Sequence, residues 1–201
     1  MSKIYTQLPG VFIHPQALVE GTQIGEGTRV WAYAHVQDGA EIGRECNLCD
    51  HTFVERGVKL GDRVTVKSGI YLWDGVTCED DVFLGPNVVF TNDVYPRSKR
   101  YHDHATPTLV RKSASLGANS TILAGTTIGR YAMIGIGSVV TRDVPDFGLV
   151  YGNPARLRGF VGRDGRRLRI EGDIGVCPVT NERYRIENNV CAPLEEDDSR
   201  A

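Results

Sequence analysis

The sequence predicts an all-β fold, a parallel β-helix built from short strands and turns. Three observations point there. An apolar residue recurs at every sixth position from Leu18 to Phe90, without a break, and again from Val110 to Val140. Glycine supplies 23 of the 201 residues, above the usual ~7%, while aromatics make up only 8%. The repeat is interrupted once, over 91–109, and then resumes.

The hexads justify the elements in order. The first run is Leu18, Ile24, Val30, Val36, Ile42, Leu48, Val54, Leu60, Val66, Leu72, Cys78, Leu84 and Phe90. Four residues after each stands a small or β-branched residue, among them Thr22, Thr28, Ala34, Cys46, Thr52, Val64 and Val94. The second run is Val110, Leu116, Ile122, Ile128, Ile134 and Val140, followed in the same way by Ala114, Ser120, Thr126, Ala132, Ser138 and Val144. A period of six does not match a helix of 3.6 residues per turn. It matches short strands, each sending one large and one small side chain inward, joined by turns in which glycine accommodates positive φ. Hexapeptide periods of this kind are the signature of a parallel β-helix.

Composition narrows the class. A hydrophobic content of 41%, a charged content of 24% and a formal net charge of −2 describe an ordinary globular chain. They offer no electrostatic case for nucleic acid or an anionic membrane. No apolar run reaches the ~20 residues that span a bilayer, and the first seven residues lack a signal peptide's apolar stretch. Five cysteines, an odd number, read as reduced thiols in the cytoplasm.

The repeat resembles the left-handed parallel β-helix of the hexapeptide-repeat acyltransferases. That resemblance implies three hexads per triangular coil of about 18 residues, hence about six coils from nineteen hexads, and a hand opposite to the usual parallel crossover. A purely structural solenoid, such as an ice-binding one, is the bland alternative. Glu20, Asp38, Arg56 and Asp74 on the outward faces, in place of a flat threonine array, speak against it. Stacking residues 18 apart gives one outward column of Glu20, Asp38, Arg56, Asp74 and Asn92, continued by Ala124 and Arg142. A second column is Gln37, Glu55, Trp73 and Thr91, and a third is His35, Phe53, Tyr71 and Val89. Trp73, Asp74, Thr91 and Asn92 are therefore expected to meet.

From Phe90 to Val110 the chain uses fourteen more residues than the repeat requires. Long loops in a compact solenoid are usually functional. This one carries Arg97, Lys99, His102 and His104, which suit a lid over a phosphate-bearing ligand or a contact with the next subunit. The two histidines fit a solvated loop equally well.

Tyr71-Leu72-Trp73-Asp74-Gly75-Val76, Asp80-Asp81-Val82-Phe83-Leu84-Gly85-Pro86-Asn87 and the run Phe90-Thr91-Asn92-Asp93-Val94-Tyr95-Pro96-Arg97-Ser98-Lys99 are similar to the nucleotide-aminosugar N-acetyltransferases. Leu72-Trp73-Asp74-Gly75 and Asn92-Asp93 look like the group acting on dTDP-3-amino-3,6-dideoxyhexoses. The tail from Val176 to Tyr184 looks more like the group acting on a UDP-linked 3-amino-glucuronate. The resemblance implies a cytoplasmic homotrimer that takes a nucleotide-linked amino sugar and acetyl-CoA for surface polysaccharide (O-antigen, lipopolysaccharide) synthesis, with no nucleic acid, membrane or metal involved. It implies Asn92 as the catalytic asparagine, with Asp93, Asp74 and His51 as further catalytic candidates. Trp73, Tyr71, Glu55, Arg97, Lys99 and His102 are candidates for substrate binding. Gly117, Ala118, Ala124, Gly135, Gly137, Arg142, Pro154 and Arg156 are candidates for the coenzyme groove, where small residues admit pantetheine to the backbone and arginines meet phosphates. The same glycines also read simply as coil turns. Rival readings are an O-acetyltransferase of the same fold and a non-catalytic sugar-nucleotide binder. A zinc carbonic anhydrase of this fold needs a His-x4-His spacing that the chain lacks.

Residues 1–160 read as the β-helix, with the loop at 91–109, and 161–201 as an extension. Asp164-Gly165 suggests a hairpin over 161–170, 181–187 a second hairpin, and 195–201 a disordered acidic end. Cys177 and Cys191 amount to half of a four-ligand zinc site.

Overall fold

The computed structural model describes residues 4–100 and 105–194. All regular structure among them is strand. Three parallel ladders form the walls of a prism. The first wall runs through Phe12–Ile13, Arg29–Val30, Asn47–Leu48, Thr65–Val66, Phe83–Leu84, Ser115–Leu116, Met133–Ile134 and Gly148–Gly152. The second runs through Leu18–Val19, His35–Val36, Phe53–Val54, Tyr71–Leu72, Val89–Phe90, Thr121–Ile122 and Val139–Val140. The third holds Glu41–Ile42, Lys59–Leu60, Val76–Cys78, Thr108–Val110 and Thr127–Ile128, extended by bridges at Ile24 and Val144.

The parallel solenoid expected from the hexads is present, but with about eight turns where the hexad count suggests six. The difference lies at the ends. Phe12–Ile13 pairs below the first clear hexad and Gly148–Gly152 pairs above the last. Both lie where the period slips. In the body Phe53 stands opposite Tyr71, an offset of 18. At the bottom Val19 stands opposite Val36, an offset of 17, and at the top Ile134 stands opposite Val150, an offset of 16. The bottom slip makes Val19, fully buried, the inward residue instead of Leu18. It also leaves Thr22 on the surface.

From Val30 onward the large and small hexad positions form one buried column of aliphatic side chains, including Leu48, Leu72, Leu84, Leu116 and Ile134. Two strand residues per wall leave room for little else, so aromatics stay largely outside. Cys46 and Cys78 occupy inward positions, and burial pushes the Cys78 thiol up to about 12.

The three corners differ. At the first, between first and second walls, the turning residues are Tyr33, His51, Gly69, Asn87, Asn119 and Gly137, and the four with side chains have φ of 56–59°. At the third, between third and first walls, Glu45, Arg63, Asp81, Ser113, Tyr131 and Phe147 turn at 55–61°. The second corner turns only on glycine: Gly39, Gly57, Gly75 and Gly125 have φ of 80–89°. That value belongs to the third residue of a type II turn, which side chains avoid, whereas φ near 57° tolerates Asn, Asp and, at some cost, others. A different set of glycines, expected to be turns, answers to a different constraint. At Gly43 and Gly129 a Cβ would lie 2.4 Å from the backbone of the next coil.

Beyond the prism, Ala155–Phe160 folds back antiparallel on Gly148–Gly152. A separate antiparallel sheet follows, ordered Arg169–Glu171, Ile174–Val176, Arg183–Glu187, Val190–Pro193. Its buried cluster of Phe160, Leu168, Cys177, Tyr184 and Cys191 packs on Phe147 and Tyr131 of the third corner. Residues 195–201, expected to be disordered, lie outside the described residues.

Candidate functional site

The insertion leaves the prism after Val89–Phe90 and rejoins it at Thr108–Val110, so it springs from the second corner. Stacking brings Trp73, Asp74, Thr91 and Asn92 to that corner. The Trp73 indole Nε1–H donates to the Phe90 carbonyl at 2.9 Å, which fixes the ring at the root of the insertion. Glu55 Oε2 accepts the Asp74 N–H at 2.8 Å. Thr91 Oγ1 accepts the Ala124 N–H at 2.9 Å, which ties the departing strand to the coil above. Asp93 Oδ1 accepts the Tyr95 N–H at 2.7 Å and starts a tight turn. The carboxylate of Asp74 and the amide of Asn92 both face solvent. The corner thus presents the carboxylates of Glu55, Asp74 and Asp93 and the Asn92 amide beside a pinned indole, a set suited to an amine and to hydroxyls. Arg97 and Lys99 lie farther out, both exposed. Arg97 donates to the Pro96 carbonyl at 2.8 Å. His102 and His104 fall outside the described residues.

His51 is elsewhere. It is a turning residue of the first corner, exposed, with its ring stacked on Tyr33 at 4.9 Å and 14°. The second wall separates it from Asn92. Along that wall the outward rings form a stripe. His35 meets Phe53 edge-on at 5.2 Å, Phe53 lies 6.2 Å from Tyr71 and 5.7 Å from Trp73, and Tyr71 stacks on Trp73 at 5.9 Å. His35 Nε2 is 3.1 Å from Glu20 Oε1, a pairing the sequence reading passes over because the two are not 18 apart.

The coenzyme candidates divide among three places. Gly117, Ala118, Gly135 and Gly137 line the upper first corner beside Ile136, which is 81% exposed. A Cβ at Gly117 would meet the backbone of the coil above at 2.7 Å, and one at Gly135 would meet Tyr151 Cβ at 2.7 Å, so coil spacing already requires glycine there. Gly137 faces open space. Ala124 is buried at the second corner. Arg142 and Arg156 border an open depression of about 670 Å³ at the upper end, floored by Val150 and Ala155 and reached by Asn189 of the last sheet. Pro154 is exposed in the adjoining turn. Asn189 is 47 residues from Arg142, and no spacing rule points to it.

In the last sheet the Cys177 thiol donates to Asp164 Oδ2 at 3.3 Å, and the Tyr184 hydroxyl accepts from Arg163 N–H at 2.9 Å and donates to Glu182. Burial, then the Glu182 carboxylate, pushes the Tyr184 hydroxyl well up. Burial pushes the Cys191 thiol up to about 12. Among the described residues no three His, Cys, Asp or Glu side chains gather closely enough to hold a metal ion.

Comparison with known proteins matches the hexapeptide repeat of the prism. The family described as bacterial transferase hexapeptide (six repeats) matches residues 21–56, and the hexapeptide repeat of succinyl-transferase matches residues 113–142. The chain is 54% identical to dTDP-3-amino-3,6-dideoxy-alpha-D-galactopyranose 3-N-acetyltransferase of Aneurinibacillus thermoaerophilus, over 91% of this chain and 95% of that protein. Among solved structures, a hexapeptide-repeat acetyltransferase of Vibrio cholerae O1 biovar eltor, complexed with acetyl coenzyme A, aligns at a TM-score of 0.54 and 26% identity, covering 62% of this chain and 72% of that one. The UDP-N-acetylglucosamine acyltransferase of Francisella novicida aligns at 0.55 and 15% identity over 78% and 68%, a likeness of fold.

Proposed function

The chain belongs to the hexapeptide-repeat N-acetyltransferases of nucleotide-linked 3-amino sugars, and we propose that it transfers the acetyl group of acetyl-CoA to the 3-amino group of a dTDP-linked 3-amino-3,6-dideoxyhexose. The observation that carries this is the 54% identity over nearly the whole of both chains. The favoured nucleotide is dTDP because it is the one in that relative's name. The product serves surface-polysaccharide synthesis in the cytoplasm.

The residues divide the work. Asp74, held at its backbone by Glu55, and Asp93 engage the amine and sugar hydroxyls at the second corner. The Asn92 amide oxygen accepts a hydrogen bond from the neutral amine and aims its lone pair; an amide is no base near neutral pH, so its work is positioning. The amine nitrogen forms a bond to the thioester carbonyl carbon, the carbon–sulfur bond breaks, and the departing thiolate takes the amine's proton. Backbone N–H groups along the coil edge are the donors for the transient oxyanion. His51 is the alternative proton acceptor.

The acceptor candidates and the coenzyme candidates Gly117, Ala118 and Gly137 occupy opposite edges of the second wall. A homotrimer of left-handed β-helices, as in the family this chain resembles, brings the two sets together in the groove between neighbouring subunits. The exposed Ile136 at that edge supports an apolar pantetheine path. Arg142 and Arg156 supply charge for the coenzyme phosphates. Residues 1–160 carry this chemistry, and 161–201 form the extension.

The test is direct. Purified protein is incubated with acetyl-CoA and dTDP-3-amino sugars while free thiol and product mass are followed. Thiol release with a product heavier by one acetyl group is expected, and none with the corresponding 3-hydroxy sugar. Absence of acetylated product with every 3-amino acceptor overturns the reading, and acetylation of the 3-hydroxy sugar converts it to O-acetyl transfer.

A further inference from the structure

Resting on that reading, we infer that the backbone N–H groups of Trp73 and Asn92 form the oxyanion site of the transfer, and that the Trp73 side chain is the positioning group that keeps both free. The second wall carries the first observation. Its neighbouring strands are in register at both residues in every pair but one. Tyr71–Leu72 and Val89–Phe90 meet only at Tyr71 and Val89. What is missing is a single main-chain bond. The Gln37 N–H reaches the Val54 carbonyl, Glu55 reaches Leu72, Thr91 reaches Ile122 and Leu123 reaches Val140, at 2.9–3.1 Å. Trp73 holds the same place in its coil, yet its N–H has no acceptor among the described residues. The Phe90 carbonyl that it would reach is taken by its own indole Nε1–H at 2.9 Å.

A second ladder fails at the same point. Along the second corner, side-chain oxygens of one coil hold N–H groups of the coil above. Gln37 Oε1 accepts from Arg56 at 3.2 Å, Glu55 Oε2 from Asp74 at 2.8 Å and Thr91 Oγ1 from Ala124 at 2.9 Å. The N–H that falls to Trp73 is that of Asn92, and an indole has no oxygen to offer. The Asn92 N–H therefore also has no acceptor among the described residues. Val19 and Leu123 leave the same gap at Asp38 and Arg142, but the strand ladder beside them is intact. Only at Trp73 do the two gaps coincide.

Register sets the directions. In the intact coils the strand N–H is aimed at the coil above and the corner N–H at the coil below. The Trp73 and Asn92 N–H groups are therefore aimed into one opening between coils, at the root of the insertion. Two main-chain donors aimed at one point suit an oxygen that gains charge, and the fixed coil spares them any reorganisation. When the amine nitrogen bonds to the thioester carbonyl carbon, the carbonyl π pair moves onto oxygen and the nitrogen becomes cationic. Asp74 then serves the nitrogen, and the two N–H groups serve the oxygen. The intermediate collapses as the carbon–sulfur bond breaks and the departing thiolate takes the nitrogen's proton.

Trp73→Gln and Trp73→Met test this by steady-state kinetics, urea unfolding and hydrogen exchange of individual backbone amides read by NMR. Both variants remove the indole and return the Phe90 carbonyl to the N–H of position 73. Only Gln presents an oxygen to Asn92, as Gln37 does to Arg56. In wild type both amides exchange rapidly. The amide of position 73 becomes protected in the Met variant, and both amides become protected in the Gln variant. The kcat of Trp73→Gln is expected about 100-fold below that of Trp73→Met, the scale of one oxyanion donor. The KM values for the amino sugar and acetyl-CoA are expected to be alike in the two variants. The urea midpoint of Trp73→Gln is expected at or above that of Trp73→Met. Equal kcat in the two variants, or slow exchange of either amide in wild type, overturns the assignment. A lower midpoint in Trp73→Gln does so too, because an oxygen that caps the amide does not loosen the corner. If wild type acetylates the 3-amino sugar while the two variants turn over alike, only the oxyanion assignment falls. If wild type acetylates no amine, the proposed function falls and takes the assignment with it.

Discussion

The first and second corners of the prism do the same geometric job with different chemistry. The first turns at φ of 56–59° on Tyr33, His51, Asn87 and Asn119. The second turns at 80–89° and uses glycine alone. The difference is one of turn type, and its consequence reaches the site. A corner that excludes side chains from its turning position leaves the neighbouring positions open to ligand, and there stand Glu55, Trp73, Asp74, Thr91 and Asn92. The first corner spends its turning positions on side chains, and His51 stacks on Tyr33 instead of aiming at the insertion. The acceptor candidates thus gather at the corner whose turns carry no side chain.

Removing the amide at the second corner breaks this comparison most severely. Asn92→Ala is expected to lower kcat/KM about 100-fold, the scale of a lost positioning contact, while the unfolding midpoint stays near wild type because the side chain is exposed. Steady-state kinetics with the dTDP-amino sugar measures it. Full activity in Asn92→Ala moves the reacting centre away from this corner. His51→Ala sharpens the contrast from the other side. Less than about a tenfold loss is expected if the thiolate takes the proton, whereas a general base costs 100-fold or more. A loss of that size, with a pH–rate profile that loses its histidine limb, transfers the base to the first corner.

Backbone substitutions compare the turn types of the two corners, and at the second corner the substitution also reaches the site. Gly57→Ala is expected to cost about 2 kcal/mol in urea unfolding, since it places a side chain at φ +80°. Its Cβ would also stand 2.1 Å from Asp74 Oδ1, so the acceptor KM should rise. Asn119→Gly, at φ +57°, is expected to change stability by no more than about 0.5 kcal/mol. Equal costs at both positions would mean that turn type does not separate the corners.

The same contrast explains what could be read in advance. The hexads are legible because each coil repeats one local constraint, an aliphatic pair facing a narrow interior. Stacking by 18 then places Trp73 beside Thr91 and the insertion at one corner. Legibility fails where the constraint is no longer local. Offsets of 17 and 16 in the end coils make Val19 the inward residue instead of Leu18 and add turns the hexad count misses. Glu20 reaches His35 from 15 residues away because side-chain length crosses between columns. Asn189 arrives beside Arg142 through an antiparallel sheet with no period at all. In that sheet the core is Tyr184, Phe160 and two thiols, a mixture no simple pattern announces.

The smallest effect concerns the first corner's own interior. Thr52 sits one residue beyond His51, is 2% exposed, and its hydroxyl has no hydrogen-bond partner. The equivalent positions one coil below and one above are Ala34 and Ile70, both fully buried. A buried hydroxyl without a partner forfeits its bond to water and gains nothing in return. Thr52→Val replaces it with a methyl of similar volume and keeps the branch at Cβ. The variant is expected to gain about 1 kcal/mol in urea unfolding with an unchanged m-value. Activity should be unchanged too, because the hydroxyl faces the aliphatic column and not the second corner. A loss of stability would show that Thr52 finds a partner, such as an interior water. A loss of activity would show that the inward Thr52 hydroxyl matters to the chemistry as well as to the core.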